Sequence, residues 1–333
     1  STAQANGLDA HGDFTALCYL PIFWIAGEDL GILLPVVLGG TSVLLSRWNA
    51  DAVLDAVEEH HVQVMVGTVE NYLELMARDD IGSRDLSSLT DPQVVSFVRK
   101  MTPEVRASWT AAVPDGGVLR EAAYGMTETS PVSFQSDTDD PIDKRVSTVG
   151  RIHPHVECKV IDADGRTVQP GVQGELLTRG YSVMQGYWDD DDRTAEVLID
   201  GWMHTGDLAT IDAEGYCRIT GRVKDMILRG GENVYPSEVE AFLYTHPDIA
   251  QAQVFGIPDP HLGELVCAWV VPRAGAMLSE EDVGAFCRQS IAHFKVPAHV
   301  RIKATLPMTV TGKPQKFIMR QQMVEELEPA DPG

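Results

Sequence analysis

Between Phe14 and Tyr124, short apolar runs alternate with stretches of helical period, and this alternation limits the fold more than any other feature of the chain. Phe14–Leu20, Ser42–Ser46, Val62–Val66, Gln93–Val98 and Val118–Tyr124 read as strands. Between them Ile25–Leu38, Ala50–His60, Glu70–Arg78 and Pro103–Trp109 read as helices, with Val53, Leu54 and Val57 on one face of the second. Strands separated by helices need crossover connections, which predicts a largely parallel sheet. A few parallel strands leave a sheet with raw edges. The sequence therefore reads as a piece whose N-terminal portion is missing.

The pattern changes twice. From Gly150 to Gly221 the apolar segments are short and are punctuated by turns at DADG (162–165), QPGVQG (169–174) and DAEG (212–215). This predicts a small all-β, barrel-like subdomain over 150–221. After Gly221 the order is mixed. Ser237–Tyr244, Glu280–His293 and Gln315–Glu328 read as helices, and Ala252–Ile257 and Val266–Val271 as strands. The expected fold class is α/β: part of a large domain with a mostly parallel sheet over 1–149, the β subdomain, and a C-terminal α+β domain over 225–333.

Charge and composition exclude several functions. The chain has 333 residues, 49 acids and 26 bases, for a net charge of −23. Such a surface repels nucleic acid and anionic membranes. No apolar run is long enough to cross a bilayer, since the longest, Leu30–Leu38, is broken by Gly31 and Pro35. The opening STAQANGLDAHGDF has neither the basic cluster nor the apolar core of a signal peptide. Five scattered cysteines (Cys18, Cys158, Cys217, Cys267, Cys287) suit reduced thiols and a cytoplasmic location. His153, His155 and Cys158 form a weak metal-like cluster that reads better as ordinary loop and strand residues, because no fourth ligand sits at a typical spacing. One local exception to the acidity stands out. Lys295, Arg301, Lys303, Lys313, Lys316 and Arg320 occupy a stretch with no acid. It suits either a phosphate-bearing ligand or a solvated basic face.

Five short motifs carry candidate chemistry. YGMTE (124–128) follows a strand; Gly125 allows close backbone approach, Thr127 can bond a phosphate or carboxylate oxygen, and Glu128 can hold Mg²⁺. The same residues also suit a plain turn with Thr127 as a helix N-cap. GWMHTGD (201–207) offers Asp207, whose carboxylate can accept two hydrogen bonds from a ribose, and GRVKD (221–225) adds Arg222 as a donor. Asp207 equally suits a turn that bonds its own backbone. GGENVYPSEVE (230–240) is a glycine turn leading into a helix, and TGKPQK (311–316) places Lys313 on an exposed turn.

With GELLTRGYSVMQGYW (174–188), these motifs run in the order found in the adenylate-forming, or AMP-binding, enzymes, and the chain resembles that superfamily from LPIFWIAG (20–27) to its end. YGMTETSPVSF, QGYW and TGKPQK look most like fatty acyl-CoA synthetases. The resemblance implies an acid–thiol ligase using ATP, Mg²⁺ and coenzyme A. A carboxylic acid is converted to its acyl adenylate with loss of pyrophosphate, and the thiol of coenzyme A then displaces AMP. It implies that Tyr124, Gly125 and Met126 line the nucleotide site, that Thr127 contacts phosphate or carboxylate, and that Glu128 holds Mg²⁺. Asp207 and Arg222 would hold the ribose. Lys313 would be the catalytic lysine, and Lys224 would be the hinge (222–224) of a mobile C-terminal domain. Gly230, Gly231 and Glu232 would lie beside the entering coenzyme A.

Three departures qualify the match. The family's Ser/Thr/Gly phosphate loop would lie upstream of Ser1. The glycine-rich adenine wall is replaced by VVSFVRKMTPEV (94–105), and Trp24 stands where relatives often have His, either lining the acyl tunnel or packing the core. The first alternative is an aryl-CoA or acyl-AMP ligase. The second is a truncated product that binds nucleotide or a partner without a full catalytic cycle.

Overall fold

The first half is built on five parallel strands. β1 (Thr15–Cys18), β2 (Thr41–Leu44), β3 (Val64–Thr68), β4 (Asp91–Val95) and β5 (Arg120–Glu121) lie in the order β2-β1-β3-β4-β5, and each pairing is parallel. The fold is the α/β class that the alternation predicts. The computed structural model describes residues 14–96, 99–121, 123–130, 132–137 and 139–327. The expectations for the opening segment, for the strand at 97–98, for Ala122 within Val118–Tyr124 and for Glu328 fall outside those residues.

Local chemistry explains the helices. Asn49, Thr68 and Thr102 each cap a helix by accepting a backbone N–H, from Ala52, Asn71 and Val105. The helices are Ala50–His60, Val69–Met76 and Pro103–Ala112. Val53, Leu54 and Val57 are buried in a core with Leu17, Met65, Tyr72, Trp109 and Leu119. The Tyr72 and Trp109 rings meet edge to face at 5.1 Å, and Trp109 Nε1 donates to the Gly117 carbonyl at 3.0 Å. β3 runs two residues later than its apolar run suggests. Gly67 is a poor strand former alone, but it and Thr68 pair with Val94 and Val95.

The helix at 25–38 has three parts. Ile25–Glu28 and Leu34–Leu38 are α-helical, and Asp29–Leu33 between them is a π turn. Leu30, Leu34 and Leu38 pack against Phe14, Ala16 and Cys18. Gly31 lies so close to β1 that a Cβ there would sit 3.2 Å from Cys18 Sγ. Val36 and Val37, on the other side, are exposed.

Antiparallel sheets follow. Ala123–Tyr124, Phe134–Gln135 and Arg151–Ile152 form a small one. Leu198–Ile199, Trp202–Ile211, Gly174–Gly180 and Val156–Ile161 form a larger one in that order, with Cys217–Arg222 paired to Trp202–Ile211. At the expected turns Asp162 and Asp212 accept backbone N–H bonds from residues two and four further on. The stretch 150–221 also contains a helix, Asp191–Val197. Its source is the acidic run at 189–192. Asp190 caps the helix, and Asp191 and Asp192 stand in its first turn, where carboxylates favour the helix dipole.

The chain divides into two compact units that part between residues 219 and 220, with residues 97–99 counted in the second. In the second unit a sheet runs Glu232–Val234, Ile227–Arg229, Gly263–Pro272, Ile249–Asp259, and His299–Ile302 pairs parallel to Gly263–Pro272. The long hairpin buries both faces. Val254, Val266 and Ala268 face Val239, Leu243 and Val283, while Phe255 and Trp269 face Met319 and Met323. The helices are Pro236–Leu243, Glu280–Ser290 and Lys316–Leu327.

Candidate active site

Two motifs far apart in the chain meet in the first unit. Tyr124 Oη donates to Asp207 Oδ2 at 2.7 Å. Asp207 is buried, 7% exposed, so its carboxylate is held rather than solvated. Its placement depends on a local irregularity. Strand Trp202–Ile211 loses register against Gly174–Gly180 at this point, and Gly206 adopts φ +68. Nothing lies within 4 Å of a Cβ there, so glycine is needed for its backbone conformation and not for space. Glu175 accepts the Gly206 N–H at 3.2 Å and contacts His204 Nδ1 at 3.2 Å. Thr205 Oγ1 donates to the Leu176 carbonyl at 2.6 Å and accepts the Asp207 N–H at 3.1 Å. Burial, and then the Asp207 charge, push the Tyr124 hydroxyl well above the usual phenol range.

After Tyr124 the chain turns. Gly125 and Thr127 are exposed, and Thr127–Thr129 is a single 3₁₀ turn. Thr127 is not a cap. The N-cap is Met126, and the buried Thr129 at the end of the turn reaches back with its Oγ1 to accept the Met126 N–H at 3.1 Å. Glu128 is tied to the QGYW segment twice. Its carbonyl accepts the Met184 N–H at 2.8 Å, and its Oε1 accepts from Tyr187 Oη at 2.9 Å. The sequence reading gave no role to Glu175, Thr205 or Tyr187. Glu175 and Tyr187 lie in the GEL and QGYW segments, and Thr205 lies two residues before Asp207 in GWMHTGD. At 94–105, Ser96 Oγ donates to Glu121 Oε2 at 2.7 Å and accepts the Met101 N–H at 3.1 Å. Burial pushes the Glu121 carboxyl up. Trp24 is half-buried at the N-cap of the helix beginning at Ile25.

The other candidates lie in the second unit. Arg222 and Lys224 are exposed, Lys224 within the 3₁₀ turn Val223–Asp225. Gly230 (φ +61) and Gly231 (φ +87) form the two-residue turn between Ile227–Arg229 and Glu232–Val234, a hairpin that needs two left-handed residues. Lys313 is exposed on a turn in which Thr309 Oγ1 accepts the Lys313 N–H at 3.0 Å and Gly312 has φ +79. The basic stretch carries its own counter-charges. Lys295 pairs with Glu238, Arg301 with Glu326 and Glu280, Lys303 with Glu326, Lys316 with Glu240 and Arg320 with Glu264. These glutamates come from elsewhere in the sequence, so a run without acids still folds into a mixed-charge surface.

Among the described residues no three His, Cys, Asp or Glu side chains are arranged to hold a metal ion. His153 is buried, and its Nε2 lies 3.1 Å from Gln135 Oε1. Mg²⁺ with a nucleotide usually takes one or two carboxylates, with phosphates and waters completing the shell. A single oriented carboxylate at Glu128 fits that requirement. A depression of about 300 Å³ between residues 81–87 and 112–115 touches none of the candidate residues. Among the described residues no helix is long and apolar enough to cross a membrane.

The AMP-binding enzyme family model matches residues 1–188, and the AMP-binding enzyme C-terminal domain matches residues 238–313. The chain belongs to the AMP-binding enzyme family. It is 39% identical over 309 residues to the putative acyl-CoA synthetase YngI of Bacillus subtilis, covering 92% of this chain and 55% of that protein. It is 36% identical over 313 residues to the mitochondrial medium-chain acyl-CoA ligase ACSF2 of Rattus norvegicus, covering 92% and 50%. The ATP-bound crystal structure of MatB from Rhodopseudomonas palustris superposes with a TM-score of 0.86 at 27% identity, covering 98% of this chain and 63% of that one. The chain thus spans about half the length of the curated relatives it matches.

Proposed function

We propose that this chain is the nucleotide-handling and thiol-transfer portion of an AMP-forming acyl-CoA ligase acting on a hydrophobic carboxylic acid. The observation that carries this reading is the meeting of YGMTE and HTGD, fixed by the Tyr124–Asp207 hydrogen bond. The acid is proposed to be of medium length, because the rat relative is named a medium-chain acyl-CoA ligase.

In this reading Asp207, oriented by Tyr124, accepts hydrogen bonds from the ribose hydroxyls, and Arg222 adds a donor. Gly125 and Met126 border the nucleotide. Thr127, exposed on its turn, donates to the phosphate or carboxylate oxygen. Glu128 holds Mg²⁺, which when bound neutralises charge on the phosphate oxygens. Lys313 supplies the cation that brings carboxylate and phosphate together, where losing one well-aimed donor costs about 10²–10³ in rate. Trp24 lines the acyl end. Lys224 is the hinge of the C-terminal domain, and Gly230, Gly231 and Glu232 border coenzyme A.

The test is product analysis by mass spectrometry. The protein, and a longer form carrying upstream residues, are incubated with MgATP, coenzyme A and carboxylates from acetate to long-chain and aromatic acids. The expected result is an acyl-CoA that falls sharply in Lys313→Ala. Acyl-AMP without acyl-CoA would identify an adenylate-only enzyme. No product from either folded form would overturn the reading.

A further inference from the structure

Glu128 does not stand alone. Its carboxylate receives the Tyr187 hydroxyl at 2.9 Å, although the two residues are 59 positions apart. Tyr187 is itself held at two points, and the residue that accepts its N–H is held in turn. Its N–H donates to Thr194 Oγ1 at 2.8 Å, the Arg193 guanidinium lies over its ring at 4.7 Å, and Thr194 Oγ1 donates to the Asp190 carbonyl at 2.8 Å. Gly186, with φ +156, brings the backbone so near Thr194 that a Cβ would sit 3.0 Å from its side chain. The Met184 N–H to Glu128 carbonyl bond fixes the main chain of the same pair of segments.

These contacts do more than packing requires. A carboxylate in the partly exposed turn 127–129 would otherwise sample several rotamers. One hydroxyl on Oε1 fixes the carboxylate plane and leaves Oε2 to a ligand. Carboxylates that bind metal are commonly held in this way by a second hydrogen bond, and removing that partner typically costs about 10–100-fold in metal affinity. We infer that Tyr187 is a positioning residue for the metal–nucleotide complex, with the segment Gly186–Thr194 acting as a brace that aims Glu128. This rests on the reading of Glu128 as the Mg²⁺ carboxylate.

The experiment measures Mn²⁺ binding by the loss of the free Mn²⁺ electron paramagnetic resonance signal, with and without ATP. The proteins are wild type, Tyr187→Phe, Glu128→Gln and Trp188→Phe. Tyr187→Phe keeps the ring under Arg193 and removes only the hydroxyl. Trp188 is 98% exposed and serves as a neighbouring control. The expected result is Mn²⁺ affinity in the presence of ATP weakened about tenfold in Tyr187→Phe and further in Glu128→Gln. Trp188→Phe should match wild type, and the thermal midpoint of Tyr187→Phe should be unchanged. Loss in Glu128→Gln with wild-type binding in Tyr187→Phe would overturn the positioning role alone. Wild-type binding in Glu128→Gln would overturn the metal reading and the inference with it. A Tyr187→Phe loss matched by an equal fall in metal-free ATP binding and a lowered thermal midpoint would assign Tyr187 a merely structural role.

Discussion

Arg120 and Asp91 form a two-pronged ion pair across adjacent parallel strands, with Nε to Oδ1 at 2.7 Å and Nη2 to Oδ2 at 2.8 Å. Arg120 has no exposed surface, and Gln93 donates to the same carboxylate. Four residues after Arg120 the chain reaches Tyr124. The pair therefore fixes the end of β5, from which the YGMTE turn departs.

Breaking this pair from one side leaves a buried charge. Arg120→Met and Asp91→Asn are each expected to destabilise the first unit by about 3–5 kcal/mol. The double variant Arg120→Met with Asp91→Leu should recover much of that loss. Urea denaturation of the three proteins checks the order.

Tyr124→Phe removes one donor from a buried carboxylate. A hydrogen bond to a charged group contributes about 1.5–3 kcal/mol. AMP affinity is expected to fall, because Asp207 loses its orientation before it meets the ribose. Calorimetric titration with AMP tests this, and unchanged affinity would remove Tyr124 from the site.

Gly206 is required for its left-handed backbone. Gly206→Ala is expected to cost about 1–2 kcal/mol, and Gly206→Asn less, since asparagine tolerates that region. Thermal melting of the two variants gives the comparison. A larger loss in Gly206→Asn would mean that space, not backbone angle, sets the requirement.

Asp29 gives a pH signature. Burial, and then the charge of Glu28, push its carboxyl up to about 6. An unfolded aspartate titrates near about 3.9. The native state therefore binds this proton more tightly, and its contribution to stability is full below about pH 4 and lost as the pH rises through about 6. Asp29→Asn is expected to raise stability at pH 7.5 by at most about 3 kcal/mol and to have little effect at pH 4. Melting curves at the two pH values decide it.

The sequence made the parallel sheet legible because crossovers leave a period that can be counted, as at Ala50–His60, where Val53, Leu54 and Val57 mark the buried face. The helix at Asp191–Val197 was hidden because an acidic run looks solvated until one of its members becomes a cap. At the site, Tyr124 and Asp207 could be named from their motifs, but their contact joins residues 83 positions apart and no local pattern encodes it. Tyr187 was missed for the same reason. The glutamates that pair with the bases of 295–320 come from four other segments, so charge counted along the chain does not give charge in space.

The π turn at Asp29–Leu33 has a consequence for the lineage of this chain. A π turn holds one residue more than the α-helix would need to cover the same length. Deleting a single residue there would close the segment into a regular helix, with Leu34 and Leu38 still able to meet β1. Length variation is normally confined to loops. In this protein one site for it lies inside a packed helix, five residues after Trp24, where a one-codon deletion would turn the start of the helix relative to its end without breaking it.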